Sequence, residues 1–311
     1  MYGRKPIKDA SRAARAILSN LLASYAPAFY VRLTGQTGRG SAPESAQDVA
    51  DYFKCCFDDY CEQLELNLEQ VQNWLCGQCL LEYGPGDVPG VALLMLAYGA
   101  DKVICVDRFP LAQSTPKQIE VLERLVEGLV GEARQRVATC FCVTGDPRSG
   151  LRRDRLEYVI KPSGLSGLRE VVDCVYSRAV LEHVNDLEAT FKDIAEALKP
   201  GGITIHQVDL KSHGLHRENP LDFLTWPTWL WDLMYSGKGV PNRWRIDCYR
   251  RAIDASRFEL QLLEPTLRAQ PEDIAEVRPY LARAFKELPD EDLSWLGFWL
   301  VARKPAYAQV D

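Results

Sequence analysis

Residues 80–107 constrain this chain more than any other stretch. Leu80-Leu81-Glu82-Tyr83 is a short apolar run, and Gly84-Pro85-Gly86-Asp87-Val88-Pro89-Gly90 is a glycine-rich turn. Val91–Ala97 is an apolar segment of helical length stopped near Gly99, and Val103-Ile104-Cys105-Val106-Asp107 is a second apolar run ending in an acid. Strand, turn, helix and strand in that order predict a βαβ unit with parallel strands and the helix packed on one face. Ligands of such open sheets sit at the carboxyl ends of the strands. Gly84 and Gly86 let the backbone approach a ligand, because no Cβ intervenes. Asp107, about twenty residues after the turn, stands where an acid accepts hydrogen bonds from a ribose.

The turn also carries charge. A dinucleotide fingerprint, G-x-G-x-x-G, wants its third glycine one place earlier than Gly90. Glu82 and Asp87 flank the turn where a pyrophosphate would sit, and two carboxylates beside a diphosphate repel it. They suit a ligand bearing positive charge, such as the sulfonium and ammonium of S-adenosylmethionine (SAM). The carboxylate of that ligand still finds free N–H groups at the helix start.

Leu81-Glu82-Tyr83-Gly84-Pro85-Gly86 resembles the first motif of the class I SAM-dependent methyltransferases, and Val103–Asp107 resembles their second strand with its ribose acid. Val172-Asp173-Cys174-Val175-Tyr176-Ser177, followed by Ala179-Val180-Leu181-Glu182-His183-Val184, is similar to a third motif. Leu198-Lys199-Pro200-Gly201-Gly202 entering Ile203-Thr204-Ile205 is similar to a fourth. The resemblance covers roughly residues 50–209. Within the superfamily, Gly84–Phe109 and Val208–Arg245 look similar to methyltransferases of bacterial polysaccharide synthesis.

The resemblance implies a Rossmann-like, seven-stranded, mostly parallel sheet with helices on both faces. It implies an enzyme that uses SAM, bound by Glu82, Gly84, Pro85, Gly86 and Asp107, with Arg108 and Ser177 beside them. After the third strand, Leu156–Ile160, the family usually places an acid on the adenine amino group. This chain has Lys161-Pro162-Ser163 instead, which leaves adenine recognition unassigned, with Ser163 or a backbone carbonyl as the candidates. In the family a helix before the first strand often closes over the cofactor, which would bring Tyr52, Phe53 or Tyr60 to the site. Their helical spacing favours core instead.

Composition sets outer bounds. At 311 residues, 47% of them hydrophobic, the chain can bury a sizeable core. A net charge of −6 argues against nucleic acid as a partner, which needs a basic face. No segment has the apolar length to span a bilayer, and no apolar run follows Arg4, Lys5 and Lys8 as in a signal peptide. Ten cysteines, several in apolar strands, behave as small hydrophobes in a reducing cytoplasm. Cys76-Gly77-Gln78-Cys79 has a zinc-like spacing but lacks a second CxxC pair. A homodimer is compatible with all of this.

The expected organisation is a helical cap and loop over residues 1–48, then a methyltransferase domain over 49–311. The cap helix covers 9–33, Gly35–Ser45 is a loop, and Ser45 caps the helix through Val49, Phe53 and Tyr60. Residues 116–136 read as one amphipathic helix, Gly145-Asp146-Pro147-Arg148 as a turn, and Asp186–Leu198 as another helix. Phe258–Leu263 and Trp295–Ala302 form a closing hairpin. A lid occupies 211–256, between strands five and six, and a second, helical insertion occupies 266–291.

Methyl transfer is an in-line displacement in which positioning does most of the work, and a hydroxyl acceptor also needs a general base. Of four histidines, His206 lies mid-strand in the core. His183 ends the third motif, and His213 and His216 follow the fifth strand beside Asp209. These four residues are the catalytic candidates, with His213 first. Trp226 and Trp229 offer faces for a sugar ring, and Arg243, Arg245 and Tyr249 complete the expected acceptor site. No metal is expected, because Asp173 lies at the wrong end of its strand and Glu182 alone cannot supply an octahedral site. The acceptor expected is a hydroxyl of a saccharide or glycan precursor. N- or C-methylation of another small metabolite, or SAM binding without catalysis, are the alternatives.

Overall fold

The computed structural model describes residues 6–26, 29–30, 43–237 and 241–306. The expected loop at Gly35–Ser45 and the end of the first helix fall mostly outside these residues. The chain opens with α1 (Pro6–Tyr25), α2 (Ala46–Gln63) and α3 (Leu68–Leu75). Ser45 starts α2 as expected: its hydroxyl accepts from the Asp48 amide while the Asp48 carboxylate accepts from the Ser45 amide. That reciprocal pair satisfies two of the amides a helix start leaves without intrahelical partners.

The βαβ unit follows as β1 (Cys79–Tyr83), α4 (Gly90–Ala97) and β2 (Lys102–Asp107). Every residue of α4 is buried, as its uniformly apolar composition requires. The segment expected as one helix over 116–136 is two, α5 (Pro116–Glu127) and α6 (Gly131–Ala138). Gly128 ends the first, and Gly131 takes a positive φ of 56° that other residues resist. The expected turn at Gly145–Arg148 is shorter than read. Thr144-Gly145 makes a two-residue hairpin between β3 (Phe141–Val143) and β4 (Asp146–Leu151).

The remaining elements are β5 (Leu156–Ile160), β6 (Val172–Arg178), α7 (Leu187–Ala197) and β7 (Leu198–Asp209). Then come α8 (Thr228–Tyr235), α9 (Ile246–Ala255), β8 (Glu259–Arg268), α10 (Pro271–Val277), α11 (Asp290–Ser294) and β9 (Trp295–Arg303). Seven strands form one sheet in the order β5-β2-β1-β6-β7-β9-β8. Only β9 runs against its neighbours β7 and β8, so the sheet is the mostly parallel one the motifs imply.

Three hydrophobic clusters result. One packs α2 to α6 on one sheet face, and the second packs α7 and α9 on the other. The third lies apart from both faces. Ala13 and Ala16 of α1 meet Phe223, Trp226, Trp231 and Met234 of the lid, and Ile274, Val277 and Phe285 of the second insertion. The three segments that looked like separate appendages therefore share one small core. Across it Arg217 donates to Asp9 at 2.8 Å, Asn20 donates to the Leu233 carbonyl, and Arg12 reaches the carbonyls of Leu215 and His216. Among the described residues no helix is long and apolar enough to cross a membrane.

Candidate active site at the carboxyl ends of the strands

β1, β2, β6 and β7 all end at one edge of the sheet, and a cavity of about 560 Å³ lies there. Gly84, Gly86, Asp107, Arg108, Gly164, Val180, His183 and His213 are among its walls. Gly84 and Gly86 have φ values of 62° and 72°, and a Cβ on Gly84 would come within 2.5 Å of a Val180 methyl. The turn is thus bare backbone pressed against the loop after β6. The Tyr158 hydroxyl donates to the Gly86 carbonyl at 2.8 Å and steadies it.

Asp107 is buried at the floor of the cavity, its Oδ1 accepting from the Phe109 amide at 3.0 Å. Burial raises its pKa, while the amides of Phe109, Gly86 and Arg108 and the Arg108 guanidinium pull the other way. Arg108 spans the opening, donating to the His183 carbonyl and the Asn185 side chain at 3.3 Å each.

A methyltransferase-domain family model matches residues 50–261, more than half of the chain. The chain belongs to the class I SAM-dependent methyltransferases. Solved methyltransferase structures are similar to it at low identity. A SAM-dependent methyltransferase from Mesorhizobium loti is 16% identical, with 76% of this chain and 100% of that chain covered and a TM-score of 0.41. A putative sarcosine dimethylglycine methyltransferase from Galdieria sulphuraria is 14% identical, covering 80% and 85% with a TM-score of 0.43. The geranyl diphosphate C-methyltransferase of Streptomyces coelicolor A3(2), solved with S-adenosyl-L-homocysteine among its ligands, is 15% identical, covering 76% of each chain with a TM-score of 0.41. No match is found among the curated proteins. The methyltransferase cofactor is SAM, and the bare glycine turn with a carboxylate beneath it is a cradle that fits it.

Several residues expected around the cofactor stand elsewhere. Glu82 faces away from the cavity. It is buried with the Tyr176 hydroxyl at 3.2 Å and the Cys105 thiol at 3.7 Å, and burial pushes it up to about 7. Strand alternation is the reason: Tyr83 and Leu81 point to one face and Glu82 to the other. Asp87 is buried too and is not part of the cavity wall. The two carboxylates therefore do not meet a ligand at the turn, and the electrostatic case against a diphosphate loses that support. The Ser177 hydroxyl is tied to His206 Nδ1 at 2.6 Å inside the sheet, so it is unavailable to the cofactor. Ser163 is exposed and accepts from the Leu165 amide; its neighbour Gly164 is the one at the wall. Pro85 is buried in the turn, outside the wall.

The histidines separate cleanly. His206 is fully buried between Ser177 and Thr204, and burial lowers it to about 3. His216 is turned toward α1, its Nδ1 2.5 Å from the Ser212 hydroxyl and its carbonyl near Arg12. It does not reach the cavity, which corrects its place among the candidates. His183 and His213 both line it, with ring centroids 5.1 Å apart. His213 Nε2 is 3.4 Å from Asp209 Oδ2, the acid expected to orient it. Asp209 is lowered to about 2: burial opposes ionisation, but His213 and the Lys211 amide and ammonium outweigh it. His213 holds a φ of 49°, a conformation non-glycine residues rarely take and one that clusters at functional sites.

A second cavity, of about 620 Å³, adjoins the first and shares His183, Val184 and Pro241 with it. Among its other walls are Trp231, Asp232, Arg243, Asp247, Arg251 and Phe285. The expected acceptor residues are only partly here. Trp226 is buried under Arg217, whose guanidinium carbon is 4.6 Å from its ring centroid. Tyr249 is fully buried and meets Phe298 edge-on at 5.0 Å. Arg245 is 1% exposed and donates to the carbonyls of Leu210, Leu293 and Trp295. Arg243 donates to the Trp226 carbonyl at 2.6 Å and lies over the Trp231 and Phe285 rings. Burial lowers each guanidinium to about 10. The two arginines brace backbone, so they do not form a clamp for an anion. Trp229 is 65% exposed and outside both cavities.

Two contributors escaped the sequence reading. Asn242 clasps the turn Leu181–His183: its amide donates to the Glu182 carbonyl at 2.5 Å and its side chain to those of Leu181 and Val184. Nothing local announces a contact across sixty residues of chain. Glu182 is fully buried, and neither carboxylate oxygen has a hydrogen-bond partner among the described residues. Burial raises its pKa well above the usual range, against the opposing pull of its own amide and that of Asp209.

Proposed function

We propose that this methyltransferase transfers a methyl group from SAM to a hydroxyl of a small polar acceptor, of the saccharide class, seated in the second cavity. The observation that carries the reading is the His213–Asp209 pair at the wall of the cofactor cleft. SAM supplies a methyl group on a positively charged sulfur when bound. Gly84 and Gly86 would take its chain against bare backbone, and Asp107 its ribose hydroxyls. Arg108 closes the same edge.

The acceptor would enter beside His183, which faces both cavities. A hydroxyl must lose its proton as its oxygen bonds to carbon, and imidazole is the side chain suited to take it near neutral pH. The ionised Asp209 carboxylate fixes the His213 ring and stabilises it once protonated. The wall of the second cavity offers Asp232 and Asp247 as acceptors for further hydroxyls, which suits a sugar. An N-acceptor would not need the His213–Asp209 pair. The free state of all ten cysteines supports a reducing compartment such as the cytoplasm.

The test compares His213→Ala with the native enzyme. Loss of a general base costs about 10²- to 10⁴-fold in turnover. Calorimetric affinity for S-adenosylhomocysteine should stay the same. Near-native turnover by His213→Ala on a glycoside acceptor would remove the base and favour N-methylation.

A further inference from the structure

Glu182, His183 and His213 form the only group of three potential metal donors among the described residues. One donor atom from each lies within 4.8 Å of the other two. The sequence reading saw Glu182 as a lone carboxylate, since His213 is thirty residues away and joins it only because β6 and β7 are neighbours. Glu182 supplies a second, independent observation. A carboxylate without a hydrogen-bond partner is costly to bury unless a cation compensates it or a proton neutralises it. Here both oxygens are in that state beside two imidazoles that line the cleft.

We infer that Glu182, His183 and His213 bind a divalent transition-metal cation whose open positions face the cofactor cleft and receive the acceptor oxygen. The inference rests on the O-methyl reading for what the cation does, and on the three side chains alone for its presence. Two imidazoles and one carboxylate select manganese, iron, cobalt or zinc over magnesium or calcium, which prefer all-oxygen shells. Bonds of about 2.1 Å place neighbouring ligand atoms roughly 3–3.5 Å apart, so the three side chains need only draw inward. Asp209 against the His213 ring is the outer carboxylate that commonly orients a metal-bound histidine. Three protein donors leave positions for water or substrate, as catalytic sites do.

A cation and a proton compete for the same imidazole. The base role of His213 therefore describes the metal-free enzyme, and in the loaded enzyme the cation polarises the acceptor O–H. Its proton passes to solvent, the oxygen bonds to the methyl carbon, and the carbon–sulfur bond breaks with its electron pair remaining on sulfur.

The experiment titrates Co²⁺ into chelator-treated full-length protein and follows the visible d–d bands, with S-adenosylhomocysteine affinity measured alongside. One equivalent should produce bands of a nitrogen–oxygen ligand set without thiolate charge transfer. Glu182→Gln and His213→Ala should each weaken binding by at least roughly 100-fold, the upper end of what an outer-shell loss costs. Glu182→Gln is nearly isosteric, and His213 is partly exposed, so at least the second variant tests the site in a folded protein. Absence of a stoichiometric band, thiolate charge transfer, or bands unchanged in both variants would overturn the metal site. Any of these with S-adenosylhomocysteine still bound would leave the methyl-transfer reading to be judged by the His213 rate.

Discussion

The sheet with its two faces and the cap over its edge are built on different principles. The sheet is built largely from elements adjacent in the chain: β1, α4 and β2 follow one another directly, as do β6, α7 and β7. The cap is wholly non-local. Three segments from the start, middle and end of the chain meet around Trp226, Trp231 and Phe285. Its polar ties are also unlike those of the sheet. Beside the Arg217–Asp9 ion pair, Arg243 and Arg245 are buried, form no ion pair among the described residues, and donate to backbone carbonyls. The sheet thus presents the glycine turn and Asp107 on a rigid edge, and the cap stands beside them with a small core that depends on a few large side chains.

The comparison predicts that the two regions fail separately. Trp226→Ala removes a ring buried between Arg217 and the rest of the cap core. It should cost about 3–5 kcal/mol in chemical denaturation, the usual range for a buried tryptophan. Because the sheet clusters do not include Trp226, S-adenosylhomocysteine affinity should survive under native conditions while acceptor turnover falls. A parallel loss of cofactor affinity would show that cap and sheet are one cooperative unit.

Glu82 sharpens the contrast from the sheet side. Its folded pKa is raised from 4.5 to about 7 by burial. Between those pH values the folded protein keeps a proton that the unfolded chain has released. The stability this group contributes is therefore full below about pH 4.5 and declines as pH rises to 7, by on the order of 3 kcal/mol. Glu82→Gln should flatten the stability profile over that window, and an unchanged slope would place the titration on another group.

Asp107→Ala should do the reverse of Trp226→Ala. Lost hydrogen bonds from the cofactor to a charged group weaken S-adenosylhomocysteine binding by about 1.5–3 kcal/mol in calorimetry. Denaturation should change little. Retained affinity would remove Asp107 from the ribose site.

The division between legible and illegible residues follows the same line. Gly84, Gly86, Asp107 and His183 could be placed from sequence because each sits at a fixed offset from a strand end, and the carboxyl edge gathers strand ends. Ser45 announced its helix, because capping is a contact three residues long. Glu82 was misplaced by one step of strand alternation, which spacing alone does not phase.

By itself the sequence determined the mostly parallel sheet and the strand edge at which the glycine turn and Asp107 gather. Apolar periodicity and turn chemistry act over a few residues and are written there. Tertiary structure alone decided that Arg245, Tyr249 and Trp226 are internal, and that Asn242 holds the His183 turn. It also decided that the buried Glu182 lies beside two histidines. Those outcomes depend on which distant surfaces bury each other, and an arginine that braces carbonyls reads in sequence like one that waits for a ligand.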